Sequence, residues 1–369
     1  MRKLDRMGTR DPIPQVLPST AAITWLLNEA SSVSEPAILL RELCNRLAEE
    51  ALPVSGALLN ITSLDPLIAA RRLRWQRGDG RVLEEVLFHG MTAIEDPRAS
   101  DAVLEIVIAG TSHKIKWLAG SSDGFTSEQT RYLKALSLTM ASPLQVVVGR
   151  EVNRSLLRAY LGRRSADKVL AGTVRRGTGE MIEAVIWVSD LRDFTILSET
   201  LPPDQVIAAL NDSCARLVGA IHPFRGEVLK FIGDGLLAIF PLAPHGTEAA
   251  CIAALSAIRA AREGMARLND QRVRAGLPTL SFGVALHLGA VMYGNIGAPD
   301  RVDFTAIGPA VNITSRIEGL CRQLQSPVLI SEAVAAQCGE MLKPMGRHSI
   351  RGISQPVSLF TLPDLRSAV

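Results

Sequence analysis

The chain has no CxxC pair. Its five cysteines, Cys44, Cys214, Cys251, Cys321 and Cys338, are scattered and odd in number, which argues for a reducing cytoplasm over a disulfide framework. Charge of either sign is not in excess: 40 Lys and Arg against 37 Asp and Glu leave a net +3, too little to imply a nucleic-acid partner. The opening Met1-Arg-Lys-Leu-Asp-Arg6 is charged but no apolar segment follows it, so no secretory signal is expected. Only one uncharged window, Thr279 to Ala298, has the length of a membrane span. Its Leu280, Phe282, Val284, Leu286 and Leu288 alternate with smaller or polar residues, and glycines with Asn295 interrupt it. The pattern predicts a strand, a turn and a second strand, and no membrane span.

What is present fits two ordinary globular domains: 369 residues, 47% hydrophobic and 21% charged. Residues 1–18 are polar, hold three prolines and read as a flexible tail. From 19 to 148 the expected order is helix, helix, several strands, helix. The helices cover Ala21 to Glu29 and Ala37 to Glu50. Strands follow at Gly56 to Ile61, Ala69 to Trp75, Val82 to Phe88, Val103 to Ala109 and Lys114 to Leu118. A long helix, Thr126 to Val148, closes the region, with Thr126 as its N-cap. Residues 149–180 are expected to be a helical connector; eight of the residues from Arg150 to Arg176 are basic, the pattern of a solvated face.

From Ile182 the pattern alternates strands and helices in a way that implies an α+β sandwich with a largely antiparallel sheet. Three segments in it concentrate polar chemistry. Asp190 sits in Val185-Ile-Trp-Val-Ser-Asp-Leu-Arg-Asp-Phe-Thr195, and Asp234 in Leu229-Lys-Phe-Ile-Gly-Asp-Gly-Leu-Leu-Ala-Ile-Phe240. Each carboxylate stands where an apolar run breaks into a turn, so both can leave a sheet edge and together offer oxygen ligands to Mg²⁺. The third segment is Asp303-Phe-Thr-Ala-Ile-Gly-Pro-Ala-Val-Asn-Ile-Thr-Ser-Arg316, in which Asn312 and Arg316 are four apart and share a helix face. Taken singly, Gly-Asp-Gly is a common hairpin sequence and the helix an ordinary polar surface.

Together the three segments resemble the catalytic signature of the class III nucleotidyl cyclases, over roughly residues 168 to 363. The order of elements in 19–148 resembles GAF-type sensor domains. These resemblances imply a GAF-like sensor at 19–148 and a cyclase domain at 181–363. They give Asp190 and Asp234 the metal role, with two Mg²⁺ or Mn²⁺ per active site. Asn312 and Arg316 would stabilise the transition state, the arginine by neutralising the transferring phosphoryl group. Phe194 and Thr195, in the turn after Asp190, would meet the phosphates, as would Arg351 in Ser349-Ile-Arg-Gly-Ile-Ser354. Many relatives have Gly at the position of Asp193, whose role here stays open.

Base choice falls to Lys230 and Thr305. Adenylyl cyclases have Lys at the first position, where guanylyl cyclases usually have an acid. A lysine donates to adenine N1, whereas guanine N1–H needs an acceptor. Thr305 matches a threonine-bearing subgroup of adenylyl cyclases. Lys230 and Asp234 are about 13 Å apart on an extended strand, and in the family they serve different protomers. The expectation is a cytoplasmic homodimer that converts ATP to 3′,5′-cyclic AMP and pyrophosphate, regulated by a small molecule or protein at the N-terminal domain. The alternatives are a guanylyl or mixed-specificity cyclase, or a catalytically silent nucleotide-binding module. No residue stands out as a general base, and neither the sensor's ligand nor a response to bicarbonate is legible.

Overall fold

The computed structural model describes residues 20–62, 68–90, 103–108, 113–339 and 341–363. The tail expected at 1–18, like Ala109 at the end of one expected strand, lies outside these residues. The chain divides into two compact units between Leu156 and Leu157.

The first unit begins with α1 (Ala21–Asn28) and α2 (Pro36–Glu49). Five strands follow: β1 (Val54–Thr62), β2 (Ile68–Gln76), β3 (Val82–Phe88), β4 (Val103–Val107) and β5 (Lys114–Ala119). They form one antiparallel sheet in the order β3-β2-β1-β5-β4. Leu39, Leu43 and Leu47 of α2 pack with Leu59, Trp75 and Trp117 of the sheet and with Leu133, Leu136 and Met140 of α3 (Ser127–Leu161) in a single core. At the start of α3, Thr126 Oγ1 accepts from the Gln129 N–H while the Gln129 side chain accepts from the Thr126 N–H, a reciprocal cap. The helix does not stop near Val148 as its apolar pattern predicts. It runs to Leu161, because the first residue that breaks it is Gly162, at φ 80°. The expected connector is thus the end of α3 plus α4 (Arg163–Leu170).

The second unit is built on an eight-stranded sheet. In chain order its elements are β6 (Gly179–Leu191), α5 (Phe194–Thr200), α6 (Pro203–Ile221), β7 (Glu227–Ile232), β8 (Gly235–Pro241) and α7 (Thr247–Arg274). Then come β9 (Phe282–Gly297), β10 (Val302–Ile307), α8 (Pro309–Gln323), β11 (Val328–Ser331), α9 (Glu332–Ala335), β12 (Lys343–His348) and β13 (Val357–Thr361). The strand order is β12-β13-β11-β9-β6-β8-β7, with β10 on β9. Among the described residues only the β9–β11 pairing is parallel, so the sheet is largely antiparallel as expected.

Alternate residues of β6 supply two cores. Val185 and Trp187 face Leu217 and Ile221 of α6 and Leu255 and Ile258 of α7. Ala184 and Ile186 face the other way, with Leu237, Ile239, Tyr293 and Phe304. On that side α8 contributes Ile317 and Cys321 to a further cluster with Ala285, Leu329 and Leu359. The result is a sheet covered on both faces.

The uncharged window is one uninterrupted strand, β9, not the strand, turn and strand that its glycines predict. Those glycines serve close approach. A Cβ at Gly294 would lie 2.3 Å from the Thr178 carbonyl oxygen and 2.4 Å from Gly179 Cα, on the neighbouring strand and the residue before it. Among the described residues no helix is long and apolar enough to cross a membrane.

Because backbone rather than a flexible side chain fills the space beside Gly294, Gly294→Ala should destabilise the second unit by about 1–3 kcal/mol, the usual cost of overpacking. Hydrogen exchange of the β6 and β9 amides across a urea series reads this; protection unchanged from wild type would refute the close-packing account.

Candidate active site

Asp190 ends the long strand β6, and the β7–β8 hairpin brings Asp234 beside it. That hairpin has a two-residue turn, Gly233-Asp234, closed by the Ile232–Gly235 pair. Gly233 takes φ 61°, a conformation open to glycine at little cost. Gly235 is needed for contact: a Cβ there would lie 2.5 Å from the Ser189 carbonyl oxygen and 2.9 Å from Asp190 Oδ1. The Gly-Asp-Gly triplet therefore does two jobs, turning the chain and seating one aspartate against the other.

The two carboxylates feel each other. Burial, then the charge of Asp234 and a hydrogen bond to it, raise the Asp190 carboxyl from 3.8 to about 6, while Arg192 opposes the shift. Both aspartates line a pocket of about 430 Å³ shared with Arg192, Asp193, Phe194, Thr195, Glu318 and Arg322. No group of three or more His, Cys, Asp or Glu residues among the described ones could by itself hold a metal ion. Two facing carboxylates that disfavour joint ionisation do fit a divalent cation, provided oxygens from a ligand complete its shell.

Asp193 caps α5 in the left-handed region, φ 55°, which explains why glycine suits this position and why aspartate, tolerant of that conformation, can replace it. Its carboxylate lies 2.7 Å from the Arg322 guanidinium on α8, so the third acid of this turn has a counter-charge.

A second cluster joins β7 to β10. Lys230 Nζ lies 3.0 Å from Asp303 Oδ2. Two residues along β10, Thr305 is buried opposite Gly294, and its hydroxyl has no hydrogen-bond partner among the described residues. A buried hydroxyl without a partner is costly and marks a group awaiting one.

The third cluster is on α8, which opens with Pro309 as expected. Asn312 and Arg316 are exposed and do not line the aspartate pocket. The Arg316 guanidinium donates to the Arg351 carbonyl, so it meets Arg351 through the backbone of that loop. The structure thus gathers Asp190, Asp234, Phe194 and Thr195 in one place, Lys230 and Thr305 in another, and Arg316 with Arg351 in a third. Arg192, Glu318, Asp303 and Arg322 were not singled out from sequence. A signal existed for Glu318: it is four residues after Thr314 and three before Cys321, both buried, which places an acid on a buried helix face.

Comparison with known proteins converges on the second unit. Residues 179–362 match the family model described as the adenylate and guanylate cyclase catalytic domain. Adenylate cyclase 1 of Rhizobium meliloti is 31% identical over 192 residues, 51% of this chain and 28% of that protein. An adenylate cyclase of Anabaena cylindrica is 35% identical over 162 residues, 43% of this chain and 31% of that protein. The chain therefore spans less than a third of the length of these relatives. A bacterial light-regulated adenylyl cyclase of known structure superposes with a TM-score of 0.50 at 26% identity, covering 62% of this chain and 65% of that one.

The raised Asp190 carboxyl has a consequence for stability. A folded-state value above the unfolded one favours the protonated fold, so this contribution is fully present below pH 3.8 and is lost as pH rises through about 6. Without divalent metal, Asp190→Asn should therefore gain thermal stability over wild type progressively across that window. Melting curves from pH 4 to 7.5 in chelator test it, and a wild-type-to-variant gap that stays constant with pH would contradict it.

Proposed function

We propose that this chain, whose residues 179–362 belong to the class III adenylyl and guanylyl cyclases, is an adenylyl cyclase working as a homodimer and regulated through its N-terminal unit. The observation that carries the reading is the meeting of Asp190 and Asp234 in a pocket they share with Phe194 and Thr195. The family generally uses divalent metals; Asp190 and Asp234 would hold the cation, which would supply shielding of phosphate oxygens and a lowered pKa of the attacking hydroxyl. The substrate's 3′-hydroxyl oxygen attacks the α-phosphorus in line as the bond to pyrophosphate breaks, and the hydroxyl proton passes to a substrate phosphate oxygen. Phe194 and Thr195 hold the phosphates over the aspartates. Asn312 and Arg316 stabilise the transition state, the arginine by neutralising charge on the transferring phosphoryl group, and Arg351 meets the phosphates.

The exposure of Asn312 and Arg316, away from the aspartate pocket of their own chain, supports a shared site in which each protomer completes its partner's. Lys230 would present its ammonium to adenine N1, and the unpartnered Thr305 hydroxyl would take the adenine amino group. The five free cysteines support a cytoplasmic setting. The antiparallel sheet and helices of the first unit support, at the level of architecture, the GAF-like sensor read from 19–148.

Asp234→Ala or Asn312→Ala homodimers should each lose nearly all cyclic AMP production from ATP and Mn²⁺. In a mixed dimer one site collects both defects and the other none. Mixing the two inactive proteins should thus restore activity, towards half the wild-type value per heterodimer. Absence of recovery despite demonstrated subunit exchange would favour a site built within one chain; full activity in Asp234→Ala would remove that carboxylate from the mechanism.

Base choice gives a second test. The Lys230–Asp303 ion pair means that Lys230→Glu sets two carboxylates together. Lys230→Glu with Thr305→Cys should abolish ATP turnover without efficient GTP turnover, whereas adding Asp303→Asn relieves the repulsion and should let GTP turnover rise. Comparing kcat/KM for ATP and GTP across these variants decides it. An unchanged preference for ATP would assign base reading to other residues.

A further inference from the structure

Arg192, two residues past Asp190, does not extend to solvent. Its side chain turns over β9, and Nη2 lies 3.0 Å from Glu318 Oε1 on α8, with only 19% and 11% of the two side chains exposed. Space for this is made by Gly283, the residue paired with Asp190 across β6 and β9. A Cβ at Gly283 would lie 1.6 Å from Arg192 Nη2 and 2.7 Å from Glu318 Oε1, so any larger residue displaces the pair. These two atoms have no directed hydrogen bond to any other group among the described residues; each relies on the charge of the other. Both residues line the aspartate pocket. Burial holds the Glu318 carboxyl above the usual range, Arg192 draws it down, and Asp190 and Asp234 push it up again. Asp190, Asp234, Glu318 and the Arg192 guanidinium therefore share one small region, beside the separate Asp193–Arg322 pair.

An arginine so close to two aspartates is a competitor for any cation they bind. A free guanidinium pairs readily with a carboxylate, often through two parallel hydrogen bonds. We infer that Glu318 is a positioning residue: it anchors Arg192 away from Asp190 and Asp234, so that the two aspartates stay open to a divalent cation. Arg192 remains near enough to Asp190 to favour its ionised form without occupying it. Glu318 touches neither substrate nor reacting atoms in this role. It acts through Arg192, and the inference rests on the metal reading of Asp190 and Asp234.

The test measures metal binding directly, on the full chain. Free Mn²⁺ is followed by electron paramagnetic resonance in the presence of 3′-deoxy-ATP, which lacks the attacking hydroxyl and does not turn over. Glu318→Met removes the anchor and frees Arg192; Mn²⁺ affinity should fall about tenfold or more, the usual range for losing a group that orients metal ligands. Glu318→Gln, which keeps an oxygen facing Arg192 but loses the charge, should lie between. Combined Arg192→Met and Glu318→Met removes competitor and anchor together, and affinity should return to within about threefold of wild type. Arg192→Met alone should bind Mn²⁺ no more weakly than wild type, which keeps the proposal exposed should Glu318→Met fail to fold. A purely structural role predicts instead that all these variants lose melting temperature with Mn²⁺ affinity unchanged, or that the double variant is the weakest. Either result overturns the proposal. Wild-type protein whose Mn²⁺ binding is absent, or untouched by Asp190→Asn, would overturn the metal reading and this proposal with it; wild-type binding with an unshifted Glu318→Met would overturn this proposal alone.

Discussion

Thirteen consecutive residue pairs, from Gly179 opposite Gly294 to Leu191 opposite Phe282, lock β6 against β9. The chemistry at the end of β6 depends on that register. A slip of one residue would move Asp190 to the other face of the sheet and Trp187 out of its core. The register in turn depends on glycines that admit close neighbours: Gly294 beside Thr178 and Gly179 at one end, Gly283 beneath Arg192 at the other. On the far side of β6 the β8 pairing, which includes Ser189 opposite Leu236, carries Asp234 to its place. One strand thus fixes both carboxylates from two directions.

What it fixes is an arrangement the fold alone would not choose. Asp190, Asp234 and Glu318 repel one another in a half-buried pocket, and the Arg192 guanidinium is committed to Glu318. Asp193 has its own partner in Arg322, so it does not relieve the pair. Such stored repulsion costs stability in the protein and would be offset by a bound cation, the pattern expected of a site organised for binding rather than for folding. The hydrophobic clusters on both faces of the sheet supply the stability against which it is set.

Much of this fold was legible in the sequence because its signals are local. The apolar run from Val185 to Val188 announced a strand that breaks into a turn after Asp190, and the five strands of the first unit lie within a few residues of where their apolar runs end. Local signals also misled. Gly289 and Gly294 read as a turn because glycine lacks a β preference, yet here they make room for Ala310 and for the backbone at Thr178. The end of α3 was misplaced because basic residues from Arg150 onward interrupt its apolar pattern while nothing before Gly162 breaks the helix. Of the site, Asp190 and Asp234 stood out through their turns, and Asn312 with Arg316 through helical spacing. Arg192, Asp303 and Glu318 did not. Each owes its meaning to a partner far along the chain, 126 residues away for Arg192 and Glu318 and 73 for Lys230 and Asp303, and no local pattern carries such a pairing.

The two ion pairs make a common point about how the catalytic unit keeps its charges apart. At the aspartate pocket a guanidinium is held back by Glu318; at the β7–β10 edge an ammonium is held by Asp303. Lys230 has 35% of its side chain exposed and Asp303 has 54%, so this second pair is screened by water and is easily exchanged for a better partner. The Arg192–Glu318 pair is far more enclosed, and breaking it would strand a charge. A ligand can therefore take Lys230 from Asp303 at small cost, while the same ligand leaves Arg192 where it is. In the proposed reaction that difference matches what each place must do: the base-reading lysine has to move onto its substrate, and the arginine beside the metal aspartates has to stay off them.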